Sequence, residues 1–258
     1  MPSVTKYYAV KLSVLLGITI LAFAIISQIS PVAQDLAFHQ FADTRTIVGI
    51  PNFWNVVSNL GFIIVGIVGF RRVALASTTV PLQVTFWMLF IGVILTGMGS
   101  AYYHWNPDND RLVFDRIPMT IIFMSFLSAT IGQAINKSWG FALLLPLALL
   151  GVGSVMWWHT TEEMGEGDLR YYALVQFLPI ILIPIIFLSF PSEKNRKIWP
   201  QFGWIIGWYV LAKILEHFDG PILKLTHVIS GHSLKHIAAT VATIYFITVF
   251  KAANNLQK

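Results

Sequence analysis

The chain has 258 residues, of which 56% are hydrophobic and only 11% are charged, and its formal net charge is +5. Soluble domains carry about 25% charged residues, so this composition indicates a polytopic membrane protein rather than a basic nucleic-acid-binding protein. The absence of cysteine excludes disulfides, thiolate zinc sites and cysteine nucleophiles.

Eight apolar stretches approach the roughly 20 residues that a helix needs to cross the bilayer core. They cover residues 8–29, 53–70, 82–103, 116–135, 141–158, 171–190, 203–219 and 229–250. The first resembles a signal peptide, but its apolar run is longer than such a signal needs, so we interpret it as a retained span. The sequence therefore predicts an all-α, polytopic transmembrane helix bundle with short loops.

The distribution of charge predicts the orientation, because cytoplasmic loops are enriched in lysine and arginine. With the N-terminus in the cytoplasm, ten of the 17 basic residues face the cytoplasm: Lys6, Lys11, Arg71, Arg72, Lys137, Lys194, Arg196, Lys197, Lys251 and Lys258. Of the 12 acidic residues, only Glu193 lies on that side. Both termini are then cytoplasmic.

The same orientation places every histidine at the outer end of a span or in an outer loop: His39, His104, His159, His217, His227, His232 and His236. Histidine is the commonest protein metal ligand. We therefore expect the chemistry of the protein at its outer, extracytoplasmic face.

Two motifs at outer span ends predict a metal site. Ser100 and His104 are four residues apart at the end of the third predicted span, and Asp115 opens the fourth. His232 and His236 repeat this spacing, which places both on one helix face. Catalytic zinc takes three protein ligands and leaves a fourth position open, a count that the three histidines fit. Structural interpretations stay open, since a boundary histidine can be interfacial, Ser100 can bond to its own backbone and Asp115 can cap a helix.

Four segments that carry these residues resemble the alkaline ceramidases. They are NFWNVVSN (Asn52–Asn59), GMGSAYYH (Gly97–His104), the aspartate of VFDR (Asp115) and SGHSLKH (Ser230–His236), and the similarity covers roughly residues 38–250. Those enzymes belong to a superfamily of seven-span membrane hydrolases that also includes adiponectin-receptor-like proteins. The resemblance implies that His104, His232 and His236 hold zinc. It further implies that Ser100 helps to stabilise the oxyanion and that Asp115 positions or deprotonates the water.

The resemblance also implies a domain organisation and a substrate. Residues 1–30 are an additional N-terminal transmembrane helix, and residues 31–258 are a seven-span, ceramidase-like hydrolase domain. The expected partner is a membrane lipid, either ceramide or a related N-acyl sphingoid lipid, whose amide is cleaved to a fatty acid and a long-chain base. The compact chain favours the bacterial inner membrane.

One departure from the family concerns calcium. The eukaryotic ceramidases have an acidic, calcium-binding segment before their first span that ends in E-F-W-N. The corresponding stretch here, FADTRTIVGIPNFWN, has Asn52 in place of the glutamate and few upstream acids. Asp43 and Asn52 offer oxygen ligands, but we interpret Asp43, Arg45 and Asn52 as a structural turn ahead of the span.

Two alternative functions stay open. The same zinc site can serve the hydrolysis of another lipid amide or ester, or it can stabilise a receptor or scaffold without turnover. The short cytoplasmic loops favour an enzyme, and the clustering of polar groups at one face argues against a transporter.

Two charged residues lie within the seventh predicted span. Lys213 and Glu216 are one helical turn apart, which predicts an internal ion pair near the site. The alternative is that Lys213 snorkels to the membrane surface while Glu216 faces water.

Overall fold

The computed structural model describes residues 2–255, and these residues are mostly helical. The helices are α1 (Pro2–Gln28), α2 (Phe53–Val57), α3 (Leu60–Ala74), α4 (Val80–Trp105), α5 (Asn109–Ala134), α6 (Lys137–Glu163), α7 (Arg170–Ser189), α8 (Glu193–His217), α9 (Asp219–Thr226) and α10 (Gly231–Asn255). A 3-10 turn, Leu36–His39, lies between α1 and α2. The prediction of an all-α helix bundle is confirmed.

Among the described residues, seven helical segments are long and apolar enough to cross a membrane. They are Lys6–Gln28, Phe53–Ala74, Val80–Trp105, Asn109–Ala134, Lys137–Glu163, Arg170–Ser189 and Gly231–Asn255, and each overlaps a predicted span. The remaining predicted span, 203–219, lies within α8, which is 25 residues long but less apolar. That α8 crosses the membrane stays a prediction.

The helix that carries Asp115 begins earlier than the sequence indicates. The predicted span is 116–135, whereas α5 begins at Asn109. The carboxylate of Asp108 accepts a hydrogen bond from the backbone N–H of Arg111 at 2.7 Å and so caps the helix. Such a cap stabilises a first turn that is charged rather than apolar. Asp115 therefore lies nearly two turns inside the helix instead of at its entrance.

The interior of the bundle is apolar, and α1 lies at its periphery. Phe86, Phe90 and Val93 on α4 are fully buried in the main hydrophobic core. By contrast, α1 packs against α7, and its most apolar stretch is not buried within the protein. This position suits an additional helix beside the other spans, although the domain division at residue 30 stays a prediction.

The residues that join α1 to α2, 29–52, cross the end of the bundle where α4 ends and where α5 and α10 begin. We call these residues the covering segment, and this end the site end. The side chain of Arg116 donates a hydrogen bond to Gln34 Oε1 at 2.5 Å. The backbone N–H of Ala42 donates to the carboxylate of Asp219 at 2.9 Å. These bonds tie the covering segment to α5 and α9.

Candidate metal centre and lipid cavity

The three histidines singled out in the sequence meet in the structure. His104 lies on the last turn of α4, and His232 and His236 lie on the first two turns of α10; their exposed fractions are 1%, 5% and 4%. Their ring centroids are 4.9, 4.8 and 5.0 Å apart. Nε2 of His104 is 3.4 Å from Nε2 of His232. Two nitrogens bound to one tetrahedral zinc lie about 3.3 Å apart, so this spacing fits a shared ion.

The environment of His236 favours the tautomer that a metal needs. Its Nδ1 lies 2.8 Å from the hydroxyl oxygen of Ser58. That hydroxyl also donates to the backbone carbonyl of Asn55, at 3.3 Å. Because a serine has only one hydroxyl proton, it accepts the N–H of Nδ1 while donating to the carbonyl. The unprotonated Nε2 is then free to act as a ligand.

His232 is positioned through its backbone. Its N–H donates to the carboxylate of Asp219 at 2.8 Å, and this carboxylate caps α10 from a neighbouring helix. The close approach requires Gly231, because a Cβ there would overlap the backbone carbonyl of Leu215 and lie 2.8 Å from Cα of Asp219. The glycine before the first histidine of GHSLKH therefore allows α9 to approach the start of α10.

His104 is held by packing rather than by a ring hydrogen bond. Its Nδ1 is buried and, among the described residues, has no hydrogen-bond partner. The ring of Phe41 packs against it with a centroid separation of 4.7 Å, and lies 4.6 Å from the ring of His232. Phe41 is itself only 8% exposed. The covering segment thus places an aromatic ring over the histidines.

Ser100 and Asp115 lie beside the histidine cluster. Ser100 is one turn before His104 on α4 and is 3% exposed. Its hydroxyl lies near the Asp115 carboxyl group, and both line one cavity. The two helices meet here because residue 99 is glycine: a Cβ at Gly99 would overlap the backbone carbonyl oxygen of Phe114. The motif GMGS therefore brings the serine against α5.

A deep cavity extends from these residues into the bundle. Ser100, Asp115 and His236 line its polar end, and apolar side chains such as Phe126 and Phe246 line the remainder. It contains about 1130 Å³ free of protein atoms, including space that is open to the outside. The ten residues from His236 to Phe246 span about 15 Å of helix, half of the roughly 30 Å hydrocarbon core. The cavity therefore has the depth of one lipid leaflet.

The predicted pair of Lys213 and Glu216 is present, with Nζ and Oε2 2.8 Å apart. The other carboxylate oxygen of Glu216 accepts from Lys235 Nζ at 2.6 Å. Lys235 lies between the two histidines of α10, and both lysines line the cavity. The sequence predicts the pair, but it does not indicate that Lys235 joins it.

The residues considered for calcium are engaged in other bonds. Arg45 donates to both carboxylate oxygens of Asp43, at 2.8 and 2.6 Å, and this lowers the pKa of Asp43. The side-chain amide of Asn52 donates to the backbone carbonyl of His104 at 2.9 Å. These bonds favour the interpretation of the stretch as a structural turn, one that also supports a site histidine.

A second group with metal-ligating side chains lies on the surface. Nε2 of His159 is 2.9 Å from a carboxylate oxygen of Asp110, and its Nδ1 is 3.9 Å from Glu163. The acids are 79% and 65% exposed. Exposed groups of this kind are common without an ion, and we assign no site to them.

Sequence reasoning missed two residues that position the histidines, Phe41 and Ser58. It left Asp219 open, either as a loop-edge residue or as a residue that orients a ligating imidazole. Ser58 lies within the NFWNVVSN motif, so its membership of that motif was an available signal. The bond from the backbone N–H of His232 to Asp219 favours the interpretation of Asp219 as a residue that positions a ligand. Phe41 carries no local signal, because its contacts depend on the path of the covering segment.

Comparison with known proteins agrees with this description. The family model for ceramidases matches residues 44–258, which include all five candidate site residues. A search of curated proteins finds no match. The family match supports a ceramide-hydrolysing enzyme, and the apolar helices support an integral membrane protein. The resemblance seen in the four motifs is confirmed, and the chain belongs to the ceramidase family.

Proposed function

We propose that this protein is a zinc-dependent hydrolase that cleaves, within the membrane, the amide bond of ceramide or a related N-acyl sphingoid lipid. One arrangement carries the proposal: three clustered histidines lie with Ser100 and Asp115 at the polar end of a deep apolar cavity. The family match supports the same class of reaction. The products are a fatty acid and a long-chain base.

His104, His232 and His236 would hold the zinc through neutral imidazole nitrogens. When bound, zinc supplies a Lewis acid that polarises a carbonyl group and makes water nucleophilic near neutral pH. The contacts of Ser58 and Asp219 keep the ligands of α10 in place before the metal arrives. Such supporting contacts usually contribute substantially to metal affinity.

Asp115 acts as the general base and then as the general acid. It accepts a proton from the attacking water and returns it to the leaving nitrogen. Ser100 donates to Asp115 while the carboxylate is charged. Once Asp115 is protonated it is a weaker acceptor, so the serine hydroxyl turns to the oxyanion formed from the amide carbonyl. A nucleophilic role for Ser100 would require His104 as its base, but that ring faces the other two histidines.

The cavity binds the hydrocarbon part of the lipid. Its apolar wall takes an acyl chain, and burial of each methylene contributes about 0.8 kcal/mol. The reacting amide then lies among the polar groups at the site end. A lipid enters laterally from the leaflet on the side of the site end, and the depth of the cavity equals the thickness of that leaflet.

The site end faces away from the cytoplasm, with both termini cytoplasmic, in a bacterial inner membrane. Because the chain has no cysteine, single cysteines can report this orientation. A Leu225→Cys variant at the site end should react with an impermeant thiol reagent from outside intact cells. A Lys251→Cys variant should react only after the membrane is opened. The reverse labelling pattern would show that the site end faces the cytoplasm.

The central experiment measures fatty-acid release by mass spectrometry from a panel of ceramides and other N-acyl and ester lipids. Purified protein is assayed as isolated, after chelation of metal and after zinc is restored. Release should require metal and should be lost in His232→Ala but retained in His217→Ala, which changes an exposed histidine. Release from other amides or esters but not from ceramides would mean that the substrate is another lipid and not ceramide. Zinc binding without release from any lipid would favour a receptor or scaffold.

A further inference from the structure

Three charged side chains form one cluster at the polar end of the cavity. Lys213 and Glu216 lie on one face of α8, and Lys235 lies on the facing α10. Glu216 bridges the two ammonium groups, one on each carboxylate oxygen, at 2.8 and 2.6 Å. The side chains of Glu216 and Lys235 are 21% and 20% exposed. The side chain of Lys213 is 48% exposed. The cluster is therefore ordered by ion pairs, and Glu216 and Lys235 are its partly shielded members.

The position of Lys235 follows from helix geometry. Successive residues of an α-helix are about 100° apart, so Lys235 lies on the flank of the face that carries His236. This places its ammonium group on the cavity wall, where Ser100 and Asp115 also lie. Lys213 reaches the same wall from the opposite helix.

The two ammonium groups of the cluster have N–H donors that Glu216 does not use. Two ammonium groups share one carboxylate, and each ammonium has three N–H donors of which Glu216 takes one. The carboxyl group of Asp115 lines the same cavity near Lys235, but among the described residues no hydrogen bond joins it to either lysine. An N–H donor that lacks an acceptor in a membrane interior is costly. An anionic oxygen at the end of a lipid would supply the missing acceptor.

We propose that Lys213 and Lys235, held by Glu216, form a binding site for a lipid carboxylate. This inference rests on the proposed amide hydrolysis, which generates such a group in the cavity. Water adds its oxygen to the acyl carbon, the C–N bond breaks, the nitrogen gains a proton, and the fatty acid ionises at neutral pH. A carboxylate in the head group of the substrate, as in an N-acyl amino acid, presents the same chemistry.

The test measures binding without turnover. Full-length protein in lipid nanodiscs is titrated with radiolabelled palmitate and with hexadecanol, which has the same chain but no charge. Palmitate should bind more tightly. Lys213→Met and Lys235→Met should each weaken palmitate binding about tenfold or more while leaving hexadecanol binding unchanged, because a hydrogen bond to a charged group is lost. Lys235→Arg should retain the preference, and Lys251→Met, at the far end of α10, is the matched control.

Two hydrolysis assays distinguish the sources of the carboxylate. If it belongs to the product, palmitate inhibits ceramide cleavage and the lysine variants relieve that inhibition. If it belongs to the head group, the wild type prefers N-palmitoylglycine to N-palmitoylethanolamine, and the variants lose this preference. Either result supports the site. The binding titration shows whether the two lysines bind a carboxylate even if no lipid is hydrolysed.

Two results would overturn the proposal. Equal binding of palmitate and hexadecanol would make the cluster a structural ion pair only. A preference for palmitate that disappears on chelation, but persists in both methionine variants, would assign the carboxylate to the histidine cluster instead.

Discussion

The hydroxyl of Ser58, at the break between α2 and α3, lies 2.8 Å from Nδ1 of His236 on α10. The two residues are 178 positions apart in the chain. This contact joins the NFWNVVSN motif to the second histidine of α10. It also selects the tautomer of that histidine, so its removal should affect metal binding before it affects the fold.

Replacement of Ser58 by alanine should lower zinc affinity about 10- to 100-fold, as expected when the supporting partner of a metal ligand is lost. Affinity is measured by competition with a chromophoric chelator. Ser58→Thr should retain the affinity, and Ser27→Ala, on an exposed face of α1, should leave it unchanged. Equal affinities for Ser58→Ala and the wild type would mean that the contact does not orient a ligand.

Replacement of Asp115 by asparagine should leave the metal content intact and lower turnover by about 10²- to 10⁴-fold, since a general base is removed while the histidines remain. Metal content is measured by mass spectrometry and turnover by fatty-acid release. Asp110→Asn, on the exposed first turn of α5, is the control. Normal turnover in Asp115→Asn would remove this residue from the mechanism.

Replacement of Gly99 by alanine should push α4 away from α5 at the point where Ser100 meets Asp115. The overlap with Phe114 should cost about 1–3 kcal/mol of stability, and turnover should fall because the two side chains separate. Gly153→Ala is the matched control, because nothing lies within 4 Å of a Cβ at that position. Thermal unfolding and fatty-acid release are measured for both. Similar behaviour of the two variants would show that α4 and α5 tolerate the extra methyl group.

The loop between α6 and α7 should make stability depend on pH. The side chain of Arg170 bonds to the carboxylate of Asp168 and lowers the pKa of Asp168 to about 2. The unfolded value is about 3.9. The pair therefore stabilises the fold fully above about pH 5, and this contribution is lost as the pH falls from about 4 through 2.

Melting temperatures of the wild type and Asp168→Asn test this prediction. The wild type should melt at a higher temperature at pH 7, and the difference should shrink below pH 4. A difference that does not change with pH would mean that Asp168 acts through hydrogen bonds alone, such as the one from the indole of Trp157 at 3.1 Å.

The clustering of the three histidines could be predicted from the sequence, because two of them form a local pair and all three lie at predicted span ends. His232 and His236 share a helix face by virtue of four-residue spacing, and they do meet His104. The sequence predicts a span that starts later than α5 does, because the capped, charged first turn of the helix resembles a loop. Phe41 could not be identified, since its position over the histidines results from long-range hydrogen bonds of the covering segment.

The carboxylate of Asp219 accepts from His232 on one oxygen and from Ala42 on the other. One side chain therefore fastens both a candidate metal ligand and the segment that lies over it. Release of residues 29–52 would leave a carboxylate without one of its donors beside the start of α10. Metal binding and protease resistance of that segment should then be thermodynamically linked. Loading with zinc should slow cleavage there, and a cut there should weaken zinc binding.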